Sequence, residues 1–271
     1  WSHQPSQPPS NEAPNRNLRQ EADRVLAQLA QLSDETIRIA IDGISNWLDN
    51  WGKQVVTSPV GYPIWQKAWP IAVRSTNESG KDRADADLSV IASSSGDSRD
   101  TMDLDTLNTP AGKFVGVFLS ACPNLSEVPH PFEADGPLRK MRDAIVQAEG
   151  RSGLIGRHRL IEHIQYFLGA DRAWAQAVLL RPLLQDDAAS LALWRAISRR
   201  TQFNEVLSII GNQMAERATD HRLGRETRRN LTFSLVVETL HAFKEVREPA
   251  VSNSRMTPVS YTHLRAHETK A

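Results

Sequence analysis

The sequence predicts an all-α fold, a stack of antiparallel helical hairpins forming a short solenoid-like array. Three observations predict it. Apolar residues recur at three–four spacing from Leu18 to Phe243, the period of a helix with one buried face. Short helical runs alternate with polar caps, and the connections are only two to six residues, which places successive helices antiparallel. No stretch outside residues 75–101 alternates as a strand would, although no strict period supports a named repeat.

In chain order, residues 1–17 are rich in Pro, Gln, Asn and Ser and read as a linker or an overhang from a preceding domain. The helical domain is expected over residues 18–249. Its first helix buries Ala22, Val25, Leu26, Leu29 and Leu32. Ser33 then caps a helix with Asp34 and Glu35 in its first turn, where carboxylates suit the helix dipole. That helix carries the cleanest stripe in the chain: Ile37, Ile41, Ile44, Leu48 and Trp51. Gly43 weakens it by about 1 kcal/mol relative to alanine and is expected to admit another backbone. Trp65 and Trp69 share a face as core residues, and Pro70 should bend or end their helix. Residues 75–101, rich in Ser, Asp and Gly, read as a mobile surface insertion with Leu88, Val90 and Ile91 as a short apolar island.

Helical pattern resumes where Thr109 or Asn108 caps, Pro110 takes the first position, and Phe114, Val117 and Phe118 share a face. A proline-punctuated loop from Cys122 to Gly136 leads to a helix burying Leu138, Met141, Ile145 and Ala148 and closed by Gly150. Residues 154–184 form the expected packing centre, two helices joined at Gly169–Ala170 with Asp171 capping the second. Leu160, Ile161, Ile164, Phe167 and Leu168 face inward in the first; Trp174, Ala177, Val178 and Leu180 or Arg181 do so in the second, which Pro182 limits. Truncating Ile164 or Trp174 to alanine would cost about 2–5 kcal/mol as core residues. Asp186 or Asp187 caps a helix with Leu191, Trp194 and Ile197. Thr201 caps another with Phe203, Val206, Leu207, Ile210 and Met214, and the last carries Leu231, Leu235, Val236, Leu240 and Phe243 before Glu248–Pro249.

Residues 250–271 read as a disordered tail. Within it, residues 259–269 resemble the translation of a sequencing adaptor, which removes His263 and His267 from any metal argument. The chain begins at Trp1 without an initiator methionine, so it is expected to be a piece of a longer protein.

Composition excludes several function classes. The 32 basic and 32 acidic residues cancel, which argues against a broad nucleic-acid footprint. No apolar run approaches the ~18–20 residues that cross a bilayer, and the polar, proline-rich first seventeen residues do not read as a signal peptide; no membrane partner is expected. The single cysteine, Cys122, reads as a small apolar residue in a reducing, cytoplasmic setting.

No chemical motif is complete. Asp85 and Asp87 lack the glycine and terminal glutamate of a calcium loop. Gly112–Lys113 lacks the distal glycine and the hydroxyl residue of a phosphate loop, since those positions are Leu107 and Phe114. Gly150, Gly153 and Gly156 have the wrong spacing for a dinucleotide site. His158 and Glu162 could place two zinc ligands on one face, but His163 lies on another face and no third ligand is evident. No catalytic residue, cofactor site or metal site is therefore expected. The one shaped charge feature is Arg199, Arg200, Arg217, Arg222, Arg225, Arg228 and Arg229, whose guanidinium forks suit phosphate or carboxylate partners. Glu216, Asp220 and Glu226 are interleaved with them, which favours a salt-bridged turn over a nucleic-acid site.

Several short segments carry a family likeness: Leu107 to Lys113 (LNTPAGK), Arg157 to Arg159 and on through Tyr166 to Leu168, Asp171 with Trp174, Arg181 to Leu184 (RPLL), and Leu193–Trp194. They resemble the bacterial helical family catalogued as domain of unknown function 4020, which lies C-terminal to a sirtuin-like domain in very large proteins. The resemblance covers roughly residues 18–249. It implies a parent that binds or consumes NAD in anti-phage defence, with this region as sensor, scaffold or assembly surface. Neither the glycine-rich NAD loop nor the catalytic histidine of a sirtuin-like domain occurs here. The expectation is a non-catalytic helical scaffold or sensor with a protein partner or self-association. The alternative is a nucleic-acid- or phosphate-binding module using the arginine-rich turn.

Overall fold

A computed structural model of the chain describes residues 18–79, 107–202 and 204–247. Within them the fold is all-α, with no strand. The helices are α1 (Leu18–Gln31), α2 (Asp34–Ile39), α3 (Ile41–Asn50), α4 (Gly52–Thr57), α5 (Gly61–Ser79), α6 (Pro110–Ala121), α7 (Pro137–Gln147), α8 (Gly150–Ile161) and α9 (Ile164–Ala170). They continue as α10 (Arg172–Trp174), a π-helical segment (Ala175–Leu180), a 3-10 turn (Arg181–Leu184), α11 (Ala188–Ser198), α12 (Asn204–Arg217) and α13 (Arg225–Arg247).

The packing centre differs from the expected one. It is α6, against which α3, α4, α5, α7 and α8 all pack. Ala111, Phe114, Val115, Val117 and Phe118 are all fully buried, and with Lys113 also buried α6 has no exposed side from Pro110 to Phe118 and sits inside other helices. The sequence reading gave it one buried face. A helix wrapped by five others also departs from a linear stack, in which each unit meets only its neighbours.

Polar groups fix the wrapping. Thr109 caps α6 by accepting from Gly112 N at 3.2 Å, and Thr76 Oγ1 accepts from Ala111 N at 3.0 Å. The Trp65 indole donates to Phe114 O at 3.0 Å, and Trp65 stacks on Trp69 with centroids 5.1 Å apart. Both indoles are core, as expected. Pro70 does not end α5, which runs to Ser79. The lost hydrogen bond costs about 3 kcal/mol, and burial of Trp65, Trp69, Ile71 and Ala72 on either side of it outweighs that.

Residues 75–79 therefore belong to a helix, not to the surface insertion in which the sequence reading placed them, and Thr76 is fully buried. The rest of that stretch, including Asp85, Asp87, Leu88, Val90 and Ile91, lies outside the described residues, as do residues 1–17, Phe203, and the 250–271 tail with His263 and His267. The α8 start is held from α5: Asn77 Nδ2 donates to Glu149 O at 3.1 Å, and Asn77 Oδ1 accepts from Ser152 N at 2.8 Å. Gly150 sits between them with φ +64°, the left-handed region that glycine tolerates.

Other expectations hold with changed boundaries. The stripe of Ile37, Ile41, Ile44 and Leu48 is buried, although a break at Ala40 divides its helix into α2 and α3. Gly43 admits nothing: a Cβ there would meet no atom within 4 Å. The helix expected across Glu162 and His163 breaks there, yet Leu160, Ile161, Ile164, Phe167 and Leu168 stay buried. Asp171 caps α10 as expected, accepting from Trp174 N at 3.1 Å. Beyond it, the wide i→i+5 turns of the π segment bury Ala175, Leu179 and Leu180 and leave Ala177 and Arg181 exposed. Asp187, not Asp186, caps α11, accepting from Ser190 N at 2.6 Å.

Arg142 locks this region. Its guanidinium lies 4.8 Å from the Phe132 ring centroid and 4.2 Å from that of Trp174. It donates to Asp143 Oδ1 and Asp171 Oδ2, each at 2.9 Å. The aromatic faces and the two carboxylates together compensate a cation with only 4% of its side chain exposed.

Candidate functional site

The seven arginines singled out by sequence fall at separate stations along α11 and α13. Arg199 and Arg200 follow the C-terminal end of α11; Arg217 and Arg222 face the turn before its N-terminal end. Thirteen residues of mostly helical chain separate Asp186 from Arg199, so these stations lie about 20 Å apart at 1.5 Å per residue. Gln202 N donates to Ser234 Oγ at 3.2 Å, which brings the middle of α13 to the Arg199–Arg200 end.

Arg217 and Arg222 are engaged. Arg217 donates to Asp220 Oδ2 at 2.7 Å and to Gln185 O at 3.1 Å, and its Nη2 lies 2.8 Å from Asp186 Oδ1. Arg222 donates to Asp186 Oδ1 at 2.6 Å and to Asp220 Oδ2 at 2.8 Å. Burial pushes the Asp220 carboxyl up, but the hydrogen bonds from Arg222 and Arg217 hold it at about 2. The same two guanidiniums lower Asp186. This network clamps the turn before α13 onto the turn before α11. Arg199 is also engaged, donating to Glu162 Oε1 at 2.6 Å. Arg228 Nη1 lies 3.1 Å from His221 Nδ1. Arg200, Arg225 and Arg229 are exposed and make no ion pair among the described residues.

His158 is built into the interior, and His163 beside it is half-buried. His158 is 2% exposed, with Nδ1 3.7 Å from Glu162 Oε1. Burial, then the charges of Arg199, Arg159 and Arg195, push its pKa down to about 3. Burial and the charges of Arg200 and Arg159 push His163 to about 4. Both imidazoles are neutral near pH 7, so His158 and Glu162 are neighbours and not an ion pair. No group of three potential metal ligands occurs among the described residues. The half-buried Cys122 has its thiol pushed up to about 12 by desolvation, the opposite of a nucleophile.

One surface escaped the sequence reading. The outward face of α13 carries Phe233, Val236 and Leu240, which are 57%, 49% and 63% exposed. Val236 and Leu240 were expected inside; the inward face instead buries Thr227, Leu231 and Ser234. At about 100° per residue the outward stripe lies about 180° from Leu231, and Arg229 falls on it one turn before Phe233. Arg229, Asn230, Thr232, Phe233 and Val236 line an open groove there. The available signal was the three–four spacing of Phe233, Val236 and Leu240, a second stripe distinct from that of Leu231 and Leu235.

No helix among the described residues is long and apolar enough to cross a membrane. Comparison of the chain with protein-family models, with curated proteins and with solved structures finds no match.

Proposed function

We propose that the chain is a non-catalytic helical scaffold or sensor module, cytoplasmic and without a cofactor of its own. In this reading it is a fragment of a larger protein whose sirtuin-like domain binds or consumes NAD in bacterial defence. The observation that carries the scaffold reading is the exposed apolar stripe of Phe233, Val236 and Leu240 on a helix that packs inward through Thr227, Leu231 and Ser234. Such a stripe supports contact with a protein surface. The polar groups best suited to chemistry take structural roles: His158 is buried and neutral, and Arg217 and Arg222 hold Asp186 and Asp220. The NAD context rests on the segments that resemble the sirtuin-associated helical family.

The test is deletion of this region from the full-length protein, with NAD consumption measured with and without the defence trigger. Loss of the triggered response with retained basal turnover supports the reading. Unchanged NAD consumption, together with a pull-down that yields no protein or phage ligand for the intact protein, refutes it.

A second reading, nucleic-acid or phosphate binding at the arginine-rich turn, is favoured by Arg225 and Arg229, which are exposed without an ion pair among the described residues. It requires a salt-dependent shift with DNA or RNA at low ionic strength, and no shift discards it.

A further inference from the structure

We infer that the outward face of α13 is a docking site for an amphipathic helix of a partner protein that carries carboxylates beside its apolar face. The inference rests on the scaffold reading and adds the chemistry of the partner. The site has two parts on one helix. Phe233, Val236 and Leu240 form an exposed stripe at the i, i+3, i+7 spacing that a facing amphipathic helix matches. At its head, the first turns of α13 hold Arg225, Arg228 and Arg229 against the single acidic residue Glu226.

Charge selects the occupant. Arg217, the last residue of α12, and Arg222, in the turn after it, are neutralised by Asp186 and Asp220 at 2.6–2.8 Å. Arg225 and Arg229 have no such carboxylate among the described residues, and Arg229 shares the groove with Phe233 and Val236. An aromatic anchor beside an arginine is the composition of an energetic hot spot in a protein interface. A facing helix with glutamate or aspartate one turn from its apolar anchors would satisfy the guanidinium while burying the stripe. A second copy of this chain would instead bring its own three arginines and one glutamate.

The experiment uses the full chain and a set of synthetic amphipathic helical peptides. All have leucine at i, i+3 and i+7 and differ only in their flanking residues: glutamate, glutamine or lysine. Fluorescence anisotropy at low salt should show saturable binding of the glutamate peptide and binding of the lysine peptide about tenfold or more weaker. Phe233→Ser and Leu240→Ser, both exposed and so compatible with folding, should weaken the glutamate peptide about tenfold. Arg229→Glu should reverse the preference toward the lysine peptide. Unaltered circular-dichroism melting of the three variants places these effects at the surface. Equal binding of all three peptides, or binding of none, overturns the inference. So does a chain that dimerises through this face, seen as a doubled mass in light scattering that Leu240→Glu abolishes. None of these outcomes changes NAD turnover in the deletion experiment, so the scaffold reading stands or falls separately.

Discussion

Arg142 Nη1 donates to Asp171 Oδ2 at 2.9 Å while Asp171 Oδ1 accepts from Trp174 N at 3.1 Å. One carboxylate thus ties α7 to the start of α10 and caps that helix. Replacing Arg142 by methionine keeps the apolar stem between Phe132 and Trp174 but strands Asp171. A loss of about 3 kcal/mol is expected, the low end for breaking a buried pair because Asp171 is partly exposed. Asp171→Ala adds loss of the cap, worth about 1 kcal/mol. Urea unfolding of both variants and of the double variant gives the coupling; additive losses would show that the contact carries no energy.

Acid should destabilise the fold well before its carboxylates titrate. His158 and His163 have folded pKa values of about 3 and about 4 against 6.5 unfolded. Between pH 6.5 and about 4 the unfolded chain binds protons that the folded chain refuses, so stability is full above pH 6.5 and falls as pH drops. The slope is about 1.4 kcal/mol per pH unit for each histidine. Urea midpoints measured from pH 7.5 to 4.5 should fall, and His158→Gln should halve the slope. A flat profile would contradict the burial of His158 and the half-buried setting of His163.

Two glycines should respond in opposite directions. At Gly61 an added Cβ would run into the backbone carbonyl of Val55, which cannot swing aside, so Gly61→Ala must shift α5 against α4 and should cost about 1–3 kcal/mol. At Gly43 the space is open, and Gly43→Ala should stabilise by about 0.5–1 kcal/mol through helix propensity. Thermal melts of the two variants that shift the same way would rule out this packing.

Lys67 closes α1 from across the fold, its Nζ donating to Leu32 O at 2.6 Å and Ala30 O at 3.2 Å. Lys67→Met retains the stem and removes both bonds to the carbonyls at the helix end. A loss of about 1–2 kcal/mol is expected, with faster amide exchange confined to the last turn of α1.

These interactions show where the sequence was legible. Ile37, Ile41, Ile44 and Leu48 were read correctly because α2 and α3 bury one face, and one face leaves one stripe. In α6 the stripe was read as one face although every residue from Pro110 to Phe118 is buried, because Lys113 reads as a solvent position and the structure buries it too. In α13 two stripes share one helix, and periodicity alone does not say which packs inward; Ser234 and Thr227 went in and Val236 and Leu240 out. The π segment was unreadable for another reason: its turns are set by packing against α8, α9 and α12, and nothing local in Ala175–Leu180 announces them. The arginines were found by composition. Their division into engaged and exposed groups depends on Asp186, which is distant in sequence and adjacent in space.

The hydrogen bond from Ala111 N to Thr76 Oγ1, 3.0 Å long, joins the helix before residues 80–106 to the helix after them. The described chain on either side of residues 80–106 thus meets at nearly one point. Both flanks are anchored there by hydrogen bonds of their own: Asn77 grips α8, and Thr109 caps α6. Two separately expressed pieces, one ending after α5 and one beginning at Leu107, should find each other and reconstitute the helical body, which makes this position a natural seam for a split-protein reporter.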